Sequence, residues 1–258
     1  MPRGLWIPAA LALAFLVLPL VALIARAPWP SVPELVAGSL PALGLSVTTG
    51  LTTTALCLLF GIPLAVVLAG SDGWPAPLRR VVRAVVTVPL VLPPVVGGIA
   101  LLLLLGRQGL LGRPLEQLFG VTVPFSTPAV VLAQTFVSMP FLVLAVEGAV
   151  RATGRRFDVV AAALGASRWY AFRRVTLPLV APGIASGAVL CFTRALGEFG
   201  ATITFAGSLP GVTRTLPIAA YLGLQSDPDS AIVLALLLLA VSLIVIVSLR
   251  DRWLRGSA

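Results

Sequence analysis

Six stretches of this chain are too long and too apolar for an ordinary soluble domain: residues 5–24, 43–69, 81–105, 128–150, 180–204 and 231–249. A helix rising 1.5 Å per residue needs about 20 apolar residues to cross a hydrocarbon core of about 30 Å, and each run meets that length. Composition agrees, because 59% of the 258 residues are apolar and only 10% are charged, against about a quarter charged in soluble domains. The expected fold is all-α and integral to the membrane, with six spans in a single transmembrane domain covering 1–258. The first run imitates a secretory signal, since Arg3 precedes it and Ala25-Arg26-Ala27 resembles a cleavage site. Its apolar region exceeds the 7 to 15 residues or so of a signal, so it is expected to be a retained span.

The net charge of +9 comes entirely from arginine, as the sequence contains no lysine. The arginines lie between the apolar runs rather than along one face, which speaks for orientation in a bilayer and against nucleic acid as a partner. With the N-terminus inside, thirteen arginines fall on the cytosolic side and four (Arg26, Arg107, Arg113, Arg214) on the other. That asymmetry predicts a multi-pass protein with both termini and the 151–178 loop in the cytosol. Absences exclude several chemistries. No histidine means no Ser-His-Asp or Cys-His nucleophile, and no lysine means no Walker A motif, so this chain is not expected to hydrolyse ATP or to be an enzyme. Cys57 and Cys191 both lie in apolar runs and read as small buried thiols; no metal site or bound cofactor is expected.

The connections on the outer side, 26–42, 106–127 and 206–230, are rich in proline and glycine. They read either as a docking surface for an extracytoplasmic partner or as plain connectors.

Between the fourth and fifth runs, Arg151, Arg155, Arg156, Arg168, Arg173 and Arg174 crowd one loop. Asp158 is a candidate N-cap, and the Ala161-Ala-Ala-Leu164 run favours a short helix over about 159–170. Gly165 would interrupt that helix at a cost of about 1 kcal/mol relative to alanine and permit close approach of another group. Such a helix either lies on anionic headgroups or docks in a groove of another subunit. The order Gly165-Ala166-Ser167, then Val175, then Leu177-Pro178 resembles the "EAA" loop of ABC-importer permeases. The resemblance implies that Asp158, Ala161, Gly165, Ala166, Ser167, Leu177 and Pro178 engage a partner ATPase. One departure is plain: where the family pattern has an acid and two alanines, this chain has Val159, Val160 and Ala161.

The fifth run carries Arg194 about 14 residues from its cytosolic start, or about 21 Å along a helix. An ionisable residue at that depth must face protein or water. Glu198, one turn later, is placed to pair with it. The pair is either a structural ion pair or part of a translocation path or gate. Gly197, Gly200 and Thr202 on this segment, with Pro93 and Pro94 in the third run, complete the candidate path. Small residues suit close helix contact, and the proline pair breaks the backbone ladder near mid-membrane.

Along nearly the whole chain the sequence resembles the molybdate-type branch of the same permeases, most specifically at Leu196-Gly-Glu-Phe-Gly-Ala-Thr-Ile-Thr-Phe-Ala-Gly207 and Thr213-Arg-Thr-Leu-Pro217. The resemblance implies a homodimer of permease subunits in the cell inner membrane. It further implies two cytosolic ABC ATPase subunits carrying ATP and Mg, and an extracytoplasmic oxyanion-binding protein received on an outer face that includes Thr213 and Arg214. Sulfate and tungstate permeases share the Ala-Leu-Gly-Glu-Phe-Gly core, whereas the Ile203-Thr-Phe-Ala-Gly207 continuation favours molybdate. A reading from a different class is an ATP-independent transporter or channel using Arg194, Glu198 and Glu147 as an ion relay.

Overall fold

The computed structural model describes residues 3–154, 160–161 and 163–254, and among them all regular structure is helical. α1 (Trp6–Ala25) is apolar throughout and has no buried residue. A 3₁₀ turn (Trp29–Ser31) leads directly into α2 (Val32–Ala69), a helix of 38 residues. The connection read over 26–42 is thus mostly helical, and the second span starts at Val32 rather than at 43. Pro33 sits in the first turn, where its missing N–H would have no partner, and Pro41 lies within the helix, which continues past it. The prolines in this stretch therefore do not stop the helix.

The third apolar run is not one straight span. α3 (Ala76–Val91) and α4 (Pro94–Leu105) meet at a bend of 116°. Leu92 and Pro93 are both extended, at ψ 133° and 132°, because each precedes a proline whose ring excludes the helical conformation. Pro94 then opens α4 from its first position. A short helix, α5 (Gly112–Phe119), occupies the following connection and ends at Gly120 with φ 65°. α6 (Thr127–Thr153) begins at Ser126, whose Oγ accepts the N–H of Ala129.

After the arginine loop, α7 (Arg168–Ala171) passes through a π-helical turn (Phe172–Thr176) into α8 (Leu177–Leu196). Pro178 explains the widened turn: it has no N–H to give, and its ring crowds the carbonyl of Arg174, so the preceding turn opens. The fifth run also breaks. α8 ends at Leu196, and a separate α9 (Gly200–Ala206) follows, where a continuous span through 204 was expected. α10 (Leu216–Ser226) and α11 (Pro228–Leu254) complete the chain.

Two cores hold these helices. Cys57, Ala65 and Leu68 of α2 meet Leu142, Val143 and Val146 of α6 and Cys191 of α8 in the first. Both cysteines are buried free thiols there. In the second, Ala129, Val130, Ala133 and Val137 of α6 pack on Ala201, Phe205 and Ala206 of α9, with Leu101, Leu102 and Leu105 of α4 at the edge. Lipid supplies no hydrophobic drive between helices, so close fit must hold them. Gly61 lies under Leu142, Gly187 beside Leu142 and Ala145, and a Cβ on Gly50 would stand 3.1 Å from the Phe192 ring. The apolar side chains of α1 and many on the outer faces of α2, α3 and α11 remain exposed, a surface suited to lipid or to partner chains.

Candidate functional site

Among its described residues the arginine loop shows two short pieces, separated at Gly165, where one helix over 159–170 was expected. Asp158, the candidate cap, lies outside the described residues, as does Val159. Val160 and Ala161 belong to a helical turn in which Leu164 N–H bonds to Val160 O at 3.1 Å and Ala166 N–H to Ala161 O at 3.0 Å. Gly165, at φ 79°, terminates that turn in the left-handed region. It acts as a helix-ending residue and not as an interruption within a helix. Among the described residues nothing lies within 4 Å of where its Cβ would be, and the positive φ itself favours glycine here. Ser167 starts the next helix, its Oγ accepting the N–H of Tyr170 at 3.2 Å.

Between the two pieces opens an apolar groove of about 550 Å³, lined by Val160, Ala161, Leu164, Ala166, Tyr170 and Val175 among others. Leu164, at 82% exposure, and Trp169, at 69%, project beside it, the Trp169 ring tilted against Phe172 with 5.6 Å between centroids. Leu177 and Pro178 stand at the first two positions of α8, where they connect this knob to the long helix behind it. The sequence pattern around Gly165 thus places one apolar projection, flanked in sequence by Arg168, Arg173 and Arg174, at one end of α8.

At the other end of α8, Gly197 closes the helix and Glu198 turns inward, 1% exposed. Its Oε2 lies 2.7 Å from Arg194 Nη1, and its Oε1 accepts the N–H of Ala201 at 2.8 Å. The carboxylate therefore neutralises a guanidinium in one helix and caps the next. The expected pair forms, but it straddles a break rather than lying along one helix face. Arg194 and Gly197 reach the surface of the chain, while Glu198, Gly200 and Thr202 are buried.

The two breaks face each other. A Cβ on Gly200 would stand 2.9 Å from Pro94 Cβ, and a Cβ on Gly98 2.8 Å from the Ala201 carbonyl oxygen. Half-helices α4 and α9 are thus in backbone contact just beyond Pro93-Pro94 and Glu198. Thr202 lies fully buried in α9, its hydroxyl without a partner among the described residues; it packs inside the chain instead of facing an open channel.

Thr213 differs from expectation. It is fully buried and its Oγ1 accepts the N–H of Leu209 at 2.8 Å, so it fastens its loop instead of presenting an outer face. Arg214 folds back on Ser208, with Nε 3.0 Å from its Oγ, and stays partly exposed.

Sequence reasoning missed a second ionic cluster at the arginine-loop end. Glu147 of α6, nearly buried, accepts from Arg83 of α3 and from Arg151 Nε at 2.9 Å. Arg151 Nη1 also reaches Asp72 Oδ1 at 3.2 Å, and its Nη2 reaches Leu68 O at 3.0 Å. The available signal was Glu147 and Arg151 spaced four apart at the end of the fourth run; their partners are 64 to 83 residues away in sequence.

Comparison with known proteins accounts for this arrangement. A permease of Mycobacterium tuberculosis named molybdenum transport system permease protein ModB is 52% identical over 254 residues, 98% of this chain and 95% of the relative. The Escherichia coli K12 protein of the same name is 39% identical over 214 residues, 81% of this chain and 92% of that protein. In fold, the chain is similar to a bacterial ABC transporter involved in the import of the acidic polysaccharide alginate. That similarity has a TM-score of 0.73 at 19% identity and covers 99% of this chain and 95% of the other. It is also similar to the MetNI methionine ABC transporter, with a TM-score of 0.63 at 17% identity, covering 84% and 94% of the two chains. Residues 61–256 match the family described as binding-protein-dependent transport system inner membrane component. From the groove at Gly165 to the paired breaks at Pro93 and Glu198, this chain belongs to that family of ABC importer permeases.

Proposed function

We propose that this chain is the membrane-spanning permease subunit of an ATP-driven oxyanion importer whose substrate is molybdate. The observation that carries the reading is the 52% identity over nearly the full length to a protein named for molybdenum transport. Two copies form the pathway. The groove around Gly165 receives a cytosolic ABC ATPase subunit, on which ATP and Mg reside; this chain binds no cofactor. An apolar groove rimmed by arginines suits a helix- or loop-sized insertion, and α7 passes movement there straight into α8.

The bias in arginine placement orients both termini and the groove to the cytosol. The face carrying Arg214 then meets the extracytoplasmic binding protein. Arg194, already neutralised by Glu198, serves passing dianions as a weak contact rather than a tight site. Discrimination between molybdate, tungstate and sulfate falls to the binding protein, because these tetrahedral dianions differ little in shape and not in charge.

The test is molybdate uptake into proteoliposomes holding this chain with its ATPase, binding protein outside and ATP inside, against excess sulfate or tungstate. Uptake that needs both partners and ATP and survives sulfate is the expected result. Uptake by the chain alone without ATP would sink the reading.

A further inference from the structure

The cluster around Glu147 ties α3, which otherwise touches the bundle little, to α6 and α2, which already pack on one another in the first core. α3 has no fully buried residue. Apart from Val82 and Val86 at the edge of the first core, it is held to the bundle by Arg83 on Glu147 and Arg79 near Asp72. Glu147 sits two turns before the end of α6, where it also accepts from Arg151. Arg151 in turn grips the last turn of α2 through Leu68 O and the following turn through Asp72. Three residues after Arg151 the backbone reverses at Gly154, φ 71°, into the loop that bears the groove. At its far end α3 leads, through the 116° bend, into α4 and its backbone contact with α9.

Stability alone is weakly served by this cluster: Glu147 is buried, but Arg83 keeps 42% of its side chain exposed and Asp72 63%, and ion pairs open to solvent are worth little. Here Arg83 Nε is moreover buried without a partner among the described residues. An ion pair differs from packed methyl groups in being directional and able to pull. Displacement of the end of α6 pulls on α3 through this pair, because beyond Val82 and Val86 α3 offers α6 and α2 few other holds. The loop and the half-helix α4 are thereby connected through two side chains.

We infer that Glu147 and Arg83 form the mechanical link by which displacement of the 151–178 loop is carried into α3 and on to the α3–α4 bend. Both are positioning residues and neither touches the oxyanion. The inference rests on the permease reading above and adds to it a route from the ATPase side to the opposite half of the bundle. The route is a two-position element, α3 against α6, that the loop biases.

The test uses the assembled transporter in proteoliposomes and measures molybdate uptake per ATP hydrolysed for Arg83→Gln, Arg83→Lys, Glu147→Gln and Arg80→Gln. Arg80 lies on the same helix but is exposed and, among the described residues, bonds to Ala76 O of its own helix. Arg83→Gln and Glu147→Gln are expected to lower uptake per ATP at least tenfold while complex assembly and ATPase rate persist. Arg83→Lys should recover at least half of the ratio, and Arg80→Gln should match the unaltered chain. In parallel, spin labels at Val85 on α3 and Leu144 on α6, both exposed, should report an ATP-dependent distance change that Arg83→Gln abolishes. Unaltered uptake per ATP in Arg83→Gln, or an unchanged label response, overturns the link. If Glu147→Gln does not assemble, the partly exposed Arg83 decides alone. Absence of ATP-dependent uptake in the unaltered chain would instead overturn the permease reading.

Discussion

Glu198 stands 2.7 Å from Arg194 with one carboxylate oxygen and caps Ala201 with the other, so one side chain secures the end of α8 and the start of α9. The two partners are unequally buried: Arg194 keeps 27% of its side chain exposed and Glu198 only 1%. Removing the guanidinium strands a buried charge, whereas removing the negative charge leaves an arginine with a route to the surface. Arg194→Ala should therefore cost about 3–5 kcal/mol. Glu198→Gln, which keeps an acceptor for Ala201, should cost clearly less. Unfolding of the detergent-solubilised chain measures both, and a larger loss in Glu198→Gln would contradict the geometry.

Gly98 is where α4 and α9 touch. A Cβ there would meet the Ala201 carbonyl at 2.8 Å, and backbone cannot yield as a side-chain tip does. Gly98→Ala should cost about 1–3 kcal/mol through overpacking and reduce uptake. Gly44→Ala in α2, with nothing within 4 Å, should stay within about 1 kcal/mol of the unaltered chain, on either side. Thermal midpoints of the two variants side by side make the comparison.

At Gly165 the constraint is φ 79° in open space. Asparagine tolerates the left-handed region and β-branched residues do not. Gly165→Asn should keep most of the uptake, and Gly165→Val should lose it several-fold at unchanged membrane abundance. Gly165→Trp should likewise uncouple ATP hydrolysis from uptake. Equal uptake by all three variants and the unaltered chain would remove the groove from the coupling role.

Ser46 Oγ of α2 accepts the N–H of Leu216 at 2.7 Å and is fully buried, joining α2 to the first turn of α10 across 170 residues of sequence. Ser46→Ala leaves that N–H unsatisfied at a cost of about 1–3 kcal/mol. Thr48→Val, on the exposed side and bonded among the described residues to Gly44 O and Leu45 O of its own helix, should change stability by less than about 0.5 kcal/mol. Chemical denaturation distinguishes the two, and equal stability of both variants would argue against the bond.

Much of the candidate site was legible, for a local reason. The order from Gly165 to Pro178 specifies a turn, a serine cap and a proline-opened helix through neighbours a few residues apart. Those residues came together as one projection, although Gly165 proved to be a terminator. Glu198 pairs with Arg194 because four residues separate them. Glu147 was read as an acid in an apolar run and a candidate relay member, since its partner Arg83 comes from α3, while Asp72 acts on its other partner, Arg151.

By itself the sequence determined that the chain is an all-helical membrane protein, because apolar length and the prohibition on unsatisfied backbone in lipid act residue by residue. The tertiary structure decided where those helices stop. α2 runs through Pro41 because helical geometry survives one missing bond, the third run breaks where Leu92 and Pro93 each precede a proline, and only the fold brings the half-helices beyond the two breaks into backbone contact at Gly98 and Gly200. Which glycine or proline bends a helix depends on what packs against it, and packing between residues a hundred positions apart is not written in either neighbourhood alone.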